Sequence, residues 1–243
     1  MKKNDPQESA GDEGKTFSEH VQELRLRLLL YVLALVAGSI AGFLIEEKIL
    51  RILVGPLGGP LYYSSPAGGF SFSISLSLFF GFVVSFPVLV YQVLLFLKPS
   101  LPKRNGKFLL LIFLSSIFLA LTGILFAYYI SLPASLRFLG MFNKEEVRAL
   151  ISTTDYLTFV TRYLAGFAII FQMPVVIVVV NKFKRLTVRS LLAFERWIIL
   201  ISLVFAAVLT PTPDVLNQLV MAIPIIVLYQ ISLAAVALTS KKA

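Results

Sequence analysis

The 243 residues contain no cysteine and only one histidine, His20. Disulfides, thiolate metal sites and cysteine nucleophiles are therefore excluded, and one imidazole is too few for a histidine-rich zinc site. A Ser-His-Asp triad would have to be built around His20 alone. Charge is also scarce: 14% of residues are Asp, Glu, Lys or Arg, about half the share usual in soluble domains. No ionised residue lies in the middle of an apolar run, which disfavours ion- or proton-coupled carriers. Gly69-Phe70-Ser71-Phe72-Ser73 is not a G-x-S-x-G nucleophile elbow, so no catalytic constellation is found and the chain is expected not to be an enzyme. No cofactor or metal is called for.

What is abundant is apolar surface, at 58% of residues and a mean hydropathy of +0.87. A helix rises about 1.5 Å per residue, so about 20 apolar residues cross the hydrocarbon layer. Six such spans are expected, at about 26–45, 70–97, 108–132, 163–181, 197–209 and 215–238. Residues 1–15 are polar and read as a disordered tail, followed by one membrane domain over 16–240. No cleavable signal peptide is visible. The fifth span has 13 uncharged residues between Trp197 and Leu209. It either borrows residues near Leu191, thins the bilayer, or is re-entrant; Trp197 beside Arg196 favours a true span.

The fold class expected is thus an all-α integral membrane protein. If the termini and the second and fourth connections share one side, that side holds 16 of the 22 cations and seven of the 13 acids. The whole excess of +9 then sits on one face, which the positive-inside rule makes cytoplasmic, with both termini inside. The basic balance so reflects topology and anionic lipid, and no nucleic-acid partner is expected.

Proline stands inside each odd-to-even return span, at Pro87, Pro174 and Pro224. Each removes a helix hydrogen bond, and three kinks in alternate helices predict a concave bundle. Gly38-Ser39-Ile40-Ala41-Gly42 places small residues four apart, for internal packing in preference to a dimer face. Thr16-x-x-Glu19 fits a capping box before an amphipathic start to the first helix. Glu23 has two readings: a salt bridge with Arg27 one turn on, or a carboxylate offered to a cationic ligand. Gln172, two residues before Pro174, either serves a function in the membrane or satisfies a carbonyl the proline leaves without a donor. Asp214 after Pro213 reads first as a helix N-cap.

In order along the chain come His20-Val-Gln-Glu23-Leu24-Arg25-Leu-Arg27, Pro56-Leu57, Phe86-Pro87-Val-Leu-Val-Tyr91-Gln92 and Phe96-Leu-Lys-Pro99-Ser-Leu101. Phe126-Ala-Tyr128, Gly166-Phe-Ala-Ile-Ile-Phe171-Gln172-Met-Pro174 and Leu209-Thr-Pro-Thr-Pro213-Asp214-Val-Leu-Asn-Gln218 follow. This series resembles the TatC family, the multispanning subunit of the twin-arginine protein translocase, from Phe17 onward. The resemblance implies a glove-like six-helix bundle with short fifth and sixth helices in the cell inner membrane. It implies binding of Arg-Arg signal peptides of folded cargo at the cytoplasmic face. Single-span TatA- and TatB-type subunits and further copies of the chain would join it, with transport driven by the proton-motive force. Glu23 maps to one family carboxylate, with Leu24, Arg25 and Phe96 around it. The second carboxylate position holds Asn105, and the family's acid in the fourth span is Gln172, assigned with Tyr128 to a concave polar pocket. Pro56, Asp214 and Gln218 fall on the family's loop positions. The competing expectation is a secondary transporter of a small solute.

Overall fold

A computed structural model describes residues 17–63, 65–98, 106–140, 150–184, 186–209 and 215–240. The polar tail, the Thr16 cap, Asn105 and Asp214 lie outside the described residues. All the regular elements among them are helical: α1 (Phe17–Leu44), α2 (Glu46–Val54), α3 (Gly68–Leu97), α4 (Gly106–Phe126), α5 (Leu132–Gly140), α6 (Thr153–Ile170), α7 (Met173–Phe183), α8 (Val188–Leu209) and α9 (Val215–Ser240). Five segments are long and apolar enough to cross a bilayer: Val21–Leu44, Gly68–Leu97, Gly106–Phe138, Thr153–Phe183 and Val188–Val208. The sixth expected span falls on α9, whose apolar stretch Gln218–Ala234 is shorter.

The chain runs as a serpentine between two faces. The first face holds the start of α1, the end of α3, the start of α4 and the end of α7; there Arg27 of α1 meets Gln92 of α3, and Lys182 lies 5.3 Å over the Phe108 ring. The second face holds α2 and the start of α6. Helix α6 is the centre of the bundle: Leu157, Val160, Tyr163, Leu164 and Phe167 are all buried. Helices α1 and α8 lie outside it and leave Leu33, Ile40, Leu200 and Val204 exposed, as lipid-facing side chains are.

Helix α1 reaches the rest of the bundle chiefly through α3. A Cβ on Gly81 would stand 2.7 Å from the Ser39 nitrogen and 2.8 Å from the Leu35 carbonyl oxygen, and one on Gly38 would stand 3.0 Å from Gly81 Cα. Only glycine permits backbones this close. The small residues of α1 thus serve internal packing.

Two spans depart from uniform helix. Between α4 and α5, residues Ala127–Ser131 form a π-helical turn in which the Leu132 N–H bonds the Ala127 carbonyl. Pro133 follows at once, and its missing N–H suits a point where the ladder already shifts register. The fourth span breaks at Phe171–Gln172, and Pro174 sits in the first turn of α7. Helices α3 and α9 run continuously through Pro87 and Pro224.

Two helices are longer than the spans expected on them. The fourth begins at Thr153, ten residues before the expected start at Tyr163, because Asp155 and Arg162 stay exposed on the helix surface. The fifth is a 22-residue helix from Val188, so of the expected alternatives it borrows residues around Leu191 to extend its 13-residue uncharged run. Glu195 accepts a hydrogen bond from Gln230 Nε2 of α9, and the helix passes through both it and Arg196. It is long enough to span without distortion, at about 33 Å.

Candidate functional site

At the first face, the expected pair forms. Arg27 Nε donates to Glu23 Oε1 at 3.2 Å, Nη2 donates to the same oxygen, and Nη1 donates to Gln92 Oε1 at 3.3 Å. The side chains of Arg27 and Glu23 are 19% and 17% exposed. Helical spacing puts acid and base on one stripe with the acid nearer the N-terminus, the favourable order. Gln92 then ties that stripe to α3. Leu24 and Arg25 point away and are exposed; Phe96, one helical turn beyond Gln92 on α3, is partly buried. The composite of Glu23, Arg27 and Gln92 unites α1 with α3, and sequence reasoning had no role for Gln92 although it stands in the quoted motif.

Gln172 occupies the break in the fourth span. Its own N–H turns to the Ile169 carbonyl at 3.0 Å, which leaves the Ala168 carbonyl without its regular donor. The side-chain Nε2 reaches that carbonyl at 3.3 Å and the Ser116 carbonyl at 3.1 Å, while Ser116 Oγ donates to Gln172 Oε1. The carbonyl served is therefore that of Ala168; the one Pro174 deprives belongs to Ile170. An ionised carboxylate at this position has no N–H and could serve neither carbonyl. The amide thus fits where the family's acid would not make the same bonds. Ser116 was missed, although a Ser115-Ser116 pair inside an apolar run was a visible signal.

Tyr128 lies elsewhere, about 18 Å along the helix from Ser116. Its phenol donates to the Ile52 carbonyl at 2.6 Å in the last turn of α2. Pro56 lies within the 3-10 turn Gly55–Leu57 that ends α2. Having no N–H, it cannot complete the helix bond to Ile52; that carbonyl takes the Gly55 N–H instead, and Tyr128 adds a second donor from α4's extension. Tyr156 Oη likewise donates to the Leu53 carbonyl at 2.9 Å. So Pro56 and Tyr128 meet at one helix end, while Gln172 stands apart from both. Gln218 Nε2 donates to the Leu203 carbonyl at 2.8 Å and joins α9 to α8.

Three buried hydroxyls were also missed. Tyr163 shares hydrogen bonds of 2.7 Å with Ser131 and 3.0 Å with Ser135, across the π-helical turn. An open depression of about 830 Å³ lies on the second face beside Arg51, Leu61, Tyr63 and Thr153, and none of the expected site residues lines it. The described residues hold no cluster of three or more metal-ligating side chains.

The fold and its polar sites define a multi-pass, all-helical membrane protein with an acid–base cluster joining two spans at the start of the first. Residues 19–224 match the family described as Sec-independent protein translocase protein (TatC). The chain is similar to the Sec-independent protein translocase protein TatC of Aquifex aeolicus (strain VF5), at 34% identity over 93% of this chain and 96% of that protein. It is 31% identical to the TatC of Desulforapulum autotrophicum (strain ATCC 43914 / DSM 3382 / VKM B-1955 / HRM2) over 96% of this chain and 88% of the other. A solved structure described as the twin arginine translocase receptor TatC in DDM superposes with a TM-score of 0.82 at 34% identity, covering 89% of this chain and 99% of that one. The chain belongs to the TatC family of Sec-independent protein translocases.

Proposed function

We propose that this chain is the receptor subunit of a twin-arginine translocase, binding the Arg-Arg signal peptides of folded cargo at the cytoplasmic membrane surface. Six crossings with both termini inside would put the start of α1 and the end of α3 on that surface. Single-span TatA- and TatB-type subunits and further copies of the chain would gather on the occupied receptor, anionic lipid would hold its basic rim, and the proton-motive force would drive transport.

The observation that carries the reading is the Glu23 carboxylate, which already accepts a guanidinium in a half-buried position tied to α3. Charge-assisted bonds from a guanidinium to a carboxylate are about twice as strong as neutral ones. Asn105 can accept a hydrogen bond but carries no charge, so Glu23 takes the larger share of recognition. Phe96 lies one helical turn beyond Gln92 on the same side of α3. Family membership supports the same role.

The test is site-specific crosslinking from an Arg-Arg signal peptide to positions 23 and 105 in membranes. Expected is a strong Glu23 adduct that Lys-Lys substitution in the peptide removes and Glu23→Gln nearly abolishes at unchanged protein level. Wild-type crosslinking by Glu23→Gln would remove Glu23 as the anchor.

A further inference from the structure

The Arg27 guanidinium is divided between two helices. Two of its nitrogens donate to Glu23 Oε1 on α1, and the third, Nη1, donates to Gln92 Oε1 on α3. To the carboxylate it presents the same planar fork that an arginine-bearing ligand would present. The pair is half-buried, 19% and 17% exposed, and joins neighbours on one helix; such one-turn pairs are individually weak and open readily. When the fork swings off Glu23, Nη1 keeps an acceptor in Gln92, so the released cation is not left without a partner.

We infer that Arg27 is a resident competitor at the Glu23 carboxylate, and that an arginine ligand binds by exchanging with it while Arg27 stays on Gln92. The inference rests on the proposed role of Glu23 as the arginine anchor. A site open only part of the time binds with its intrinsic affinity scaled by the open fraction. Arg27 therefore sets a threshold: at a given ligand concentration, weakly binding cationic segments fall below useful occupancy. Competition scales every ligand equally, so the preference for Arg-Arg over Lys-Lys is set by Glu23 and not by Arg27.

The test titrates the full chain in detergent with a labelled synthetic peptide carrying paired arginines and with its paired-lysine counterpart, following the thermal midpoint of each variant in parallel. Arg27→Gln is expected to tighten both peptides about two- to fivefold with their ratio unchanged. Arg27→Lys, which keeps the charge and loses the fork, is expected to tighten binding about twofold. Gln92→Leu removes the alternative acceptor and is expected to weaken binding about twofold, since Arg27 then rests on Glu23 alone. If Glu23→Gln abolishes binding but Arg27→Gln leaves it unchanged or weaker, Arg27 orients the carboxylate and exchange is wrong while the receptor reading stands. Tightening by Arg27→Gln with none by Arg27→Lys would reduce the effect to net charge and also overturn exchange. Wild-type binding by Glu23→Gln would defeat the anchor itself, and the exchange with it.

Discussion

The α1–α3 contact on the first face and the end of α2 on the second are held by different chemistry. On the second face, neutral phenols reach backbone carbonyls of another element: Tyr128 to Ile52, and Tyr156 to Leu53. The backbone adds to these, with the Tyr62 N–H on the Ile151 carbonyl at 3.1 Å and the Thr153 N–H on the Tyr62 carbonyl at 2.8 Å. On the first face the α1–α3 link is carried by charged side chains, Arg27 between Glu23 and Gln92, with Lys182 over Phe108 and Glu195 with Gln230 as further charged contacts. Helices α8 and α9 also share a buried phenol bond from Tyr229 Oη to the Leu191 carbonyl at 2.6 Å. A buried carbonyl that loses its donor keeps the full cost of desolvation, so the Tyr156 bond to Leu53 makes the second face resist opening. A part-exposed ion pair has water and other ions as ready substitutes, so the first face exchanges partners cheaply. The start of α1 is thus the place built to trade contacts, while the phenol-to-carbonyl links of α2 with α6 and of α8 with α9 stay closed.

Substitutions on each side sharpen that contrast. The largest effect is expected from Gly81→Leu, which separates α1 from α3: its Cβ would stand 2.7 Å from the Ser39 backbone nitrogen. A loss of about 3 kcal/mol is expected, read as a lower thermal midpoint in detergent, together with loss of peptide binding as Glu23 and Gln92 part. Binding that survives the thermal loss would mean the first-face cluster does not need α3. Tyr163→Phe strands the Ser131 and Ser135 hydroxyls and should cost about 1.5 kcal/mol, with peptide affinity at the wild-type value. A binding defect with an intact midpoint would break the division between the faces.

Gln172→Leu leaves the Ala168 and Ser116 carbonyls without their side-chain donor, and a loss of about 1 kcal/mol is expected alongside reduced export. If export and midpoint both hold, Gln172 serves neither the pocket nor the backbone. Tyr128→Phe is the mildest, at about 0.5 kcal/mol, because the Ile52 carbonyl still receives the Gly55 N–H. A drop comparable to that of Tyr163→Phe would show that the second face depends on α2's last turn more than on the buried hydroxyls.

Much of this organisation was legible in the residues, and the parts that were not share a cause. Apolar runs of spanning length marked the helices because hydropathy is local and additive. Helices α6 and α8 run on past the charges that closed those apolar runs. Arg162 is an exposed residue within α6, and Glu195 is satisfied by Gln230, 35 residues away. The Glu23–Arg27 pair could be read from its spacing of four; Gln92 could not, since it stands 65 residues on from Arg27. Pro174 rightly marked trouble in the fourth span, but the carbonyl that Gln172 serves followed from how the turn at Phe171–Gln172 closed.

Composition and order along the chain determined on their own that this is a polytopic helical membrane protein of the TatC family, with charge gathered at one set of connections. Those are properties of each residue and its near neighbours, summed over a window. Tertiary structure alone decided which polar groups meet: Arg27 with Gln92, Gln172 with Ser116, Tyr128 with the Ile52 carbonyl. In an apolar medium every buried donor must find an acceptor, and which one it finds depends on which helices pack together, a relation that no local stretch of sequence contains.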